Sequence, residues 1–220
     1  MSDTEIILIR HGEAWDNNAP AVTEGLRGLS ARGLGHARRL AAVLADDARE
    51  HGAFGALYTS PSLRCLQTSE TVAAALALKA LVAHPLRPPE AGVLTSAGGL
   101  LPDARADLDR EGLAAYAQSA GPFLRSLPLN HPGQRVIVVG HQITARTAMA
   151  EFLRLPLAGS WWGAPLQYGA LSSWIHRTDE ADPAGAWSLT AHNTVAHLDL
   201  PDDPASFPQL ADIRKARAQA

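Results

Sequence analysis

Ile6-Ile7-Leu8-Ile9-Arg10-His11-Gly12-Glu13 is an apolar run that ends abruptly on an arginine and a histidine. Four consecutive aliphatic residues read as a strand buried on both faces, so Arg10 and His11 fall at its mouth. An arginine there can hold phosphate oxygens bidentately at any working pH, and a neutral imidazole can act as nucleophile and later as leaving group. The same construction returns late in the chain, where Val136-Ile137-Val138-Val139 runs into Gly140-His141-Gln142. Two such runs point to two parallel strands that deliver both imidazoles to one edge of a sheet.

Working outward, strands and helical patterns alternate, the signature of an α/β sheet with crossover helices. The first strand is expected over about Glu5 to Ile9. Ser30 caps a helix from about Ala31 to Glu50, in which Leu34, Ala37, Leu40, Ala41 and Leu44 keep helical spacing. A second strand, Ala56 to Thr59, ends at Ser60-Pro61, with the proline expected in the first turn of a helix that reaches about Leu78. Residues 79–83 form a short third strand, and His84 to Asp103 reads as a long proline- and glycine-rich loop. Helical pattern returns from about Ala104 to Leu127 with an interruption near Gly121-Pro122. A fourth strand, Arg135 to Val139, feeds a helix from about Ile143 to Leu155. Ala170 to Arg177 and Trp187 to His192 then read as a hairpin, which makes the sheet mixed.

Composition bounds the partners. With 220 residues, 46% of them apolar, one domain over residues 1–200 is expected, followed by a C-terminal arm, 201–220, with three prolines. The net charge of −3 and the lack of a basic block argue against a nucleic-acid surface. Cys65, the single cysteine, permits no internal disulfide and suits a reducing compartment. The acidic start Met1-Ser2-Asp3-Thr4-Glu5 and the shortness of the apolar runs fit neither a signal segment nor a membrane span, so a cytoplasmic protein with a small-molecule ligand is expected. Oligomeric state stays open.

Taken together, four segments resemble the histidine phosphatase superfamily, also called phosphoglycerate mutase-like. They are Leu8-Ile9-Arg10-His11-Gly12-Glu13 with Asn17, Leu29-Ser30-Ala31-Arg32-Gly33, Ser60-Pro61-Ser62-Leu63-Arg64 with Thr68, and Val139-Gly140-His141. Their order and spacing match the family over most of the chain. The resemblance implies an α/β fold, a three-layer α/β/α sandwich around a central mixed, mostly parallel sheet. It implies His11 as the residue that takes the phosphoryl group, with Arg10, Arg64 and His141 around the phosphoryl oxygens, Asn17 near the bound phosphate, and no cofactor or metal.

The family also supplies a carboxylic acid to protonate the leaving oxygen. By interval from Arg64, Glu90 in Leu86-Arg87-Pro88-Pro89-Glu90-Ala91-Gly92 is the first candidate, Glu13 the second and Asp103 the third. Acid-phosphatase-like members carry the acid directly after the second histidine, where this chain has Gln142, so that branch is not expected; Gln142 and Glu13 are placed with the substrate-binding residues. The expected reaction is hydrolysis of a small phosphorylated metabolite. The alternatives are mutase-type phosphoryl transfer, against which stands the short stretch Val93 to Pro102, and a catalytically weak phospholigand- or partner-binding protein. Trp15, Trp161, Trp162 and Tyr168 are either site lining or packing anchors. Cys65 reads as a buried helix residue, and the remaining histidines lack metal-ligand spacing and read as surface or hydrogen-bonded groups.

Overall fold

The computed structural model describes residues 2–14, 28–88, 110–156, 165–178 and 185–199. Six strands, β1 (Ser2–Arg10), β2 (Ala56–Thr59), β3 (Ala80–Val82), β4 (Arg135–Gly140), β5 (Leu171–Thr178) and β6 (Ala186–Thr194), form one sheet in the order β3-β2-β4-β1-β5-β6. The pairs β3·β2, β2·β4 and β4·β1 are parallel, and β5 and β6 add antiparallel. Among the described residues four helices cover it: α1 (Ala31–His51), α2 (Leu63–Leu76), α3 (Arg110–Asn130) and α4 (Gln142–Leu153).

The two faces of β1 show why the aliphatic run has no polar alternation. Ile6 and Leu8 join Val136, Val138 and Trp174 beneath α3 and α4, whereas Ile7 and Ile9 join Ile137, Val139 and Leu171 beneath α1 and α2. Successive strand side chains point to opposite faces, so a strand covered on both sides must be apolar throughout. The result is the expected three-layer sandwich. Strand β1 starts earlier than its apolar run because β5 pairs with it from Ser2↔Thr178 onward.

Three local expectations are corrected. Ser62 is the N-cap of α2, so Pro61 precedes the helix instead of occupying its first turn. The third long helix is not interrupted at Gly121-Pro122: α3 runs through Gly121, Pro122 and Pro128 to Asn130. Its stripe of Leu113, Tyr116, Ala120, Leu124 and Leu127 stays buried against the sheet, and that continuous burial outweighs a local breaker. Within the expected loop after β3, His84–Leu86 forms a 3-10 turn that puts Leu86 in the core at 0% exposure. A second 3-10 turn, Ala196–Asp199, follows β6. The arm at 201–220 and the start of the third long helix, 104–109, lie outside the described residues.

Candidate active site

Parallel register assembles the site. Arg10 pairs with Gly140 and Thr59 with Val139, so β1, β4 and β2 end level and release His11, His141 and Ser60 side by side. The crossing continues one step past the sheet, where the His11 N–H donates to Gly140 O at 3.0 Å and the Ser60 N–H to Val139 O at 2.9 Å. Arg64, the second residue of α2, is 4% exposed and reaches in beside them.

The His11 ring is held in one tautomer. Nδ1 lies 2.7 Å from Gly12 O, which can only accept, so Nδ1 carries the proton and Nε2 presents its lone pair. Arg64 Nε–H donates to that Nε2 at 3.0 Å. The peptide that fixes the ring is itself fixed: the Gly12 N–H donates to Thr68 Oγ1 at 3.1 Å, and Thr68 Oγ1–H donates to Arg64 O at 2.8 Å. Glycine is required where this loop meets α1, since a Cβ on Gly33 would sit 1.9 Å from Glu13 O and one on Gly12 would sit 2.4 Å from Gly33 O.

His141 takes the opposite tautomer. Arg64 Nη2, which can only donate, is 3.3 Å from its Nδ1, and its Nε2 is 2.9 Å from Ser60 Oγ, so Nε2–H donates to the hydroxyl. The backbone N–H of His141 donates to Thr144 Oγ1 at 3.0 Å, and Thr144 pairs in turn with Tyr116 Oη at 2.7 Å. The two imidazoles stand edge to face, centroids 5.2 Å apart, near enough for one tetrahedral anion to reach both. Burial first, and then the Arg64 charge, hold both rings well below the usual histidine range, with Arg10 adding to the effect. Both are therefore neutral at physiological pH.

Arg10 is fastened from the other side. Nη1–H donates to Leu166 O at 2.6 Å, and the guanidinium carbon lies 3.7 Å from the Tyr168 ring centroid. Its Nε is buried with no hydrogen-bond partner among the described residues, as expected of a donor that faces an anion site. Gln142 Oε1 accepts the Leu166 N–H at 2.7 Å and so anchors this wall of the site to α4.

Glu13 is placed differently. Its carboxylate accepts from Ser30 Oγ at 2.8 Å and pairs with Arg32 at 3.2 Å, tying the loop to the N-terminus of α1, where the Ser30 side chain also accepts from the Gly33 N–H at 3.0 Å. Asn17, Glu90, Asp103, Trp15, Trp161 and Trp162 lie outside the described residues. Tyr168 faces the site, with its ring 5.5 Å from that of His11. Cys65 is fully buried, its thiol pushed up to about 12 by desolvation, which fits an inert packing residue. Among the described residues no group of three or more His, Cys, Asp or Glu could hold a metal ion, and no helix is long and apolar enough to cross a membrane.

Sequence reasoning missed Ser60 as the partner of His141, and it read His197 as a surface or hydrogen-bonded histidine without placing it beside the site. His197 is 0% exposed in the second 3-10 turn and bonds Gly169 O through Nε2 at 2.9 Å. Burial holds it down to about 4.

Solved structures share this architecture. The chain is similar to the phosphoserine phosphatase of Entamoeba histolytica solved with 3-phosphoglyceric acid (TM-score 0.64, 20% identity, 89% of this chain and 99% of that one). It is also similar to YhfR of Bacillus stearothermophilus (TM-score 0.66, 21% identity, 89% and 100%). A mycobacterial glucosyl-3-phosphoglycerate phosphatase aligns with TM-score 0.63 and 19% identity over 87% of this chain and 99% of that one. No curated protein sequence gives a significant match. The family model of the histidine phosphatase superfamily, branch 1, matches residues 6–189, most of the chain, and the chain belongs to that superfamily.

Proposed function

We propose that this chain is a phosphomonoesterase that hydrolyses a small phosphorylated metabolite through a phosphohistidine on His11. The observation that carries the reading is the fixed tautomer of His11, which turns an unprotonated Nε2 toward Arg64 and His141 inside a buried cationic site. In the first step the Nε2 lone pair forms the N–P bond while the ester P–O bond breaks, and Gly12 O stabilises the positive charge that develops on the ring through Nδ1–H. Arg10 and Arg64 meet the charge that spreads over the phosphoryl oxygens, and their strength lies in being positioned before the reaction begins.

The leaving alkoxide takes its proton from a carboxylic acid. We assign this role to Glu90, because Glu13 is engaged with Ser30 and Arg32 at the start of α1; Asp103 is the next candidate. Water then attacks phosphorus, gives its proton to the carboxylate, and releases inorganic phosphate and neutral His11. Asn17, Gln142 and His141 complete the binding side of the proposal, with Gln142 acting through Leu166. That similar folds include phosphatases of phosphoserine and of glucosyl-3-phosphoglycerate supports a small phosphorylated metabolite as the substrate class.

The test is phosphate release over a metabolite panel in the presence of a strong chelator, with His11→Ala as the blank. Brief reaction with labelled substrate is expected to leave an acid-labile, base-stable phosphoryl group on His11. Label that persists in His11→Ala, or activity that returns only with added divalent metal, overturns the mechanism. Rapid isomerisation of 3-phosphoglycerate with a bisphosphoglycerate primer would instead establish mutase-type transfer. Tight phosphate binding without turnover of any ester would leave a phospholigand-binding protein.

A further inference from the structure

Arg10 is held in a way that leaves its charge unspent. Its guanidinium stacks on the face of Tyr168, carbon to ring centroid 3.7 Å, while Nη1 is taken by Leu166 O. A carboxylate in the place of Tyr168 would neutralise the cation and compete with an incoming phosphoryl group for its N–H donors. An aromatic face attracts the cation electrostatically, and the Tyr168 hydroxyl adds a polar contact to the same guanidinium. The long arginine side chain would otherwise sample many rotamers, and fixing its plane beforehand removes that cost from binding and from the transition state.

The turn that carries Tyr168 is built as a rigid support. The Gly169 N–H is shared between Arg10 O and His11 O at 3.1 Å each, and the Arg10 N–H donates to Ala170 O at 3.0 Å. The Leu166 N–H is held by Gln142 of α4, the Gln167 N–H by Asn193 of β6 at 2.8 Å, and Gly169 O by His197 of the second 3-10 turn. Gly169 has φ +73°, and a Cβ there would come to 3.0 Å from His36 Cβ and 3.1 Å from Leu198 Cδ2, so the turn sits where only glycine lets it sit. Four separate elements thus converge on five residues whose one half-buried aromatic ring lies against Arg10 and beside His11.

We propose that Tyr168 is a positioning residue that fixes the guanidinium plane of Arg10 for the phosphoryl oxygens, chiefly through its ring face. This rests on the reading of the site as a phosphoryl site. The assays are calorimetric binding of inorganic phosphate and vanadate, and kcat and KM with nitrophenyl phosphate. Tyr168→Leu is expected to raise the vanadate Kd and lower kcat/KM by roughly tenfold, and Tyr168→Phe to stay within about threefold of the parent, with melting temperatures unchanged.

In an Arg10→Gln background, Tyr168→Leu is expected to add nothing further to the vanadate Kd. That cycle keeps the proposal falsifiable if Tyr168→Leu alone disturbs folding. Unaltered vanadate binding in Tyr168→Leu, failure of Tyr168→Phe to rescue, or additive losses in the cycle each overturn it. A parent protein that binds phosphate but releases none from esters refutes the phosphatase reading while the binding cycle still decides the role of Tyr168. A parent that binds neither anion refutes both.

Discussion

Replacing Arg64 by alanine removes one side chain that touches both imidazoles, at 3.0 Å from His11 Nε2 and 3.3 Å from His141 Nδ1. Loss of one strong preorganised donor to a phosphoryl transition state costs about 2–4 kcal/mol, which is about 30- to 1,000-fold in kcat/KM. A second consequence separates this from simple loss of a contact. Burial and then the Arg64 charge hold His11 and His141 below the usual histidine range, so removing the cation leaves burial, the weaker Arg10 contribution and, for His11, that of His141, and both rings move up in pKa. His11 must be unprotonated at Nε2 to attack, so the acid limb of the rate profile moves to higher pH. Nuclear magnetic resonance titration of the histidine rings, run beside the kinetics, reads the two effects independently. Arg64→Lys keeps the charge and loses the planar fork, so its histidines stay low while kcat/KM recovers only in part. A loss in Arg64→Ala below about fivefold, or His11 resonances that titrate where they did before, would refute the placement of this charge at the reacting centre.

Glu90→Gln is expected to slow an alkyl phosphate strongly and a nitrophenyl phosphate much less, since the second leaving group needs little protonation; equal losses would move the acid to Glu13 or Asp103. Thr68→Val leaves the buried Gly12 N–H without its acceptor and is expected to cost about 1–3 kcal/mol in urea denaturation along with a loss of kcat, and an unchanged kcat would uncouple Thr68 from the His11 tautomer. Stability is expected to be fully present above pH ~6.5, the unfolded-state histidine value, and to fall as the pH drops toward about 4, where the folded His197 begins to take a proton. His197→Gln, compared with the parent by denaturation at pH 7 and pH 4, is expected to remove on the order of 3 kcal/mol of that pH dependence, and parallel curves for the two proteins would contradict it.

The central strands were readable because burial on both faces leaves no freedom of composition. Ile6 to Ile9 and Val136 to Val139 must be apolar at every position, and residues that follow such runs emerge at the sheet edge. Parallel pairing then aligns Arg10 with Gly140, which brings His11 and His141 together without any local signal of distance. Helix punctuation was less readable. Pro122 is a breaker by its own chemistry, yet α3 passes through it because the buried stripe from Leu113 to Leu127 is a property of the whole helix and its contact with the sheet.

What the sequence conceals is the support of the site, because that support is made by hydrogen bonds without periodicity. Arg10 meets Leu166 across 156 positions, Gly12 meets Thr68 across 56, and His197 meets Gly169 from a turn that no pattern announces. Each uses a backbone group on one side, and any sequence supplies backbone groups everywhere. A histidine such as His197 therefore reads as an ordinary surface or bonded residue until the turn around Gly169 is seen beneath it. The reacting groups declare themselves by residue type at the ends of buried strands. The groups that aim them become identifiable only once the fold shows which carbonyls and amides they must satisfy, and Tyr168 belongs to this second kind: its ring is informative only because Arg10 lies across its face.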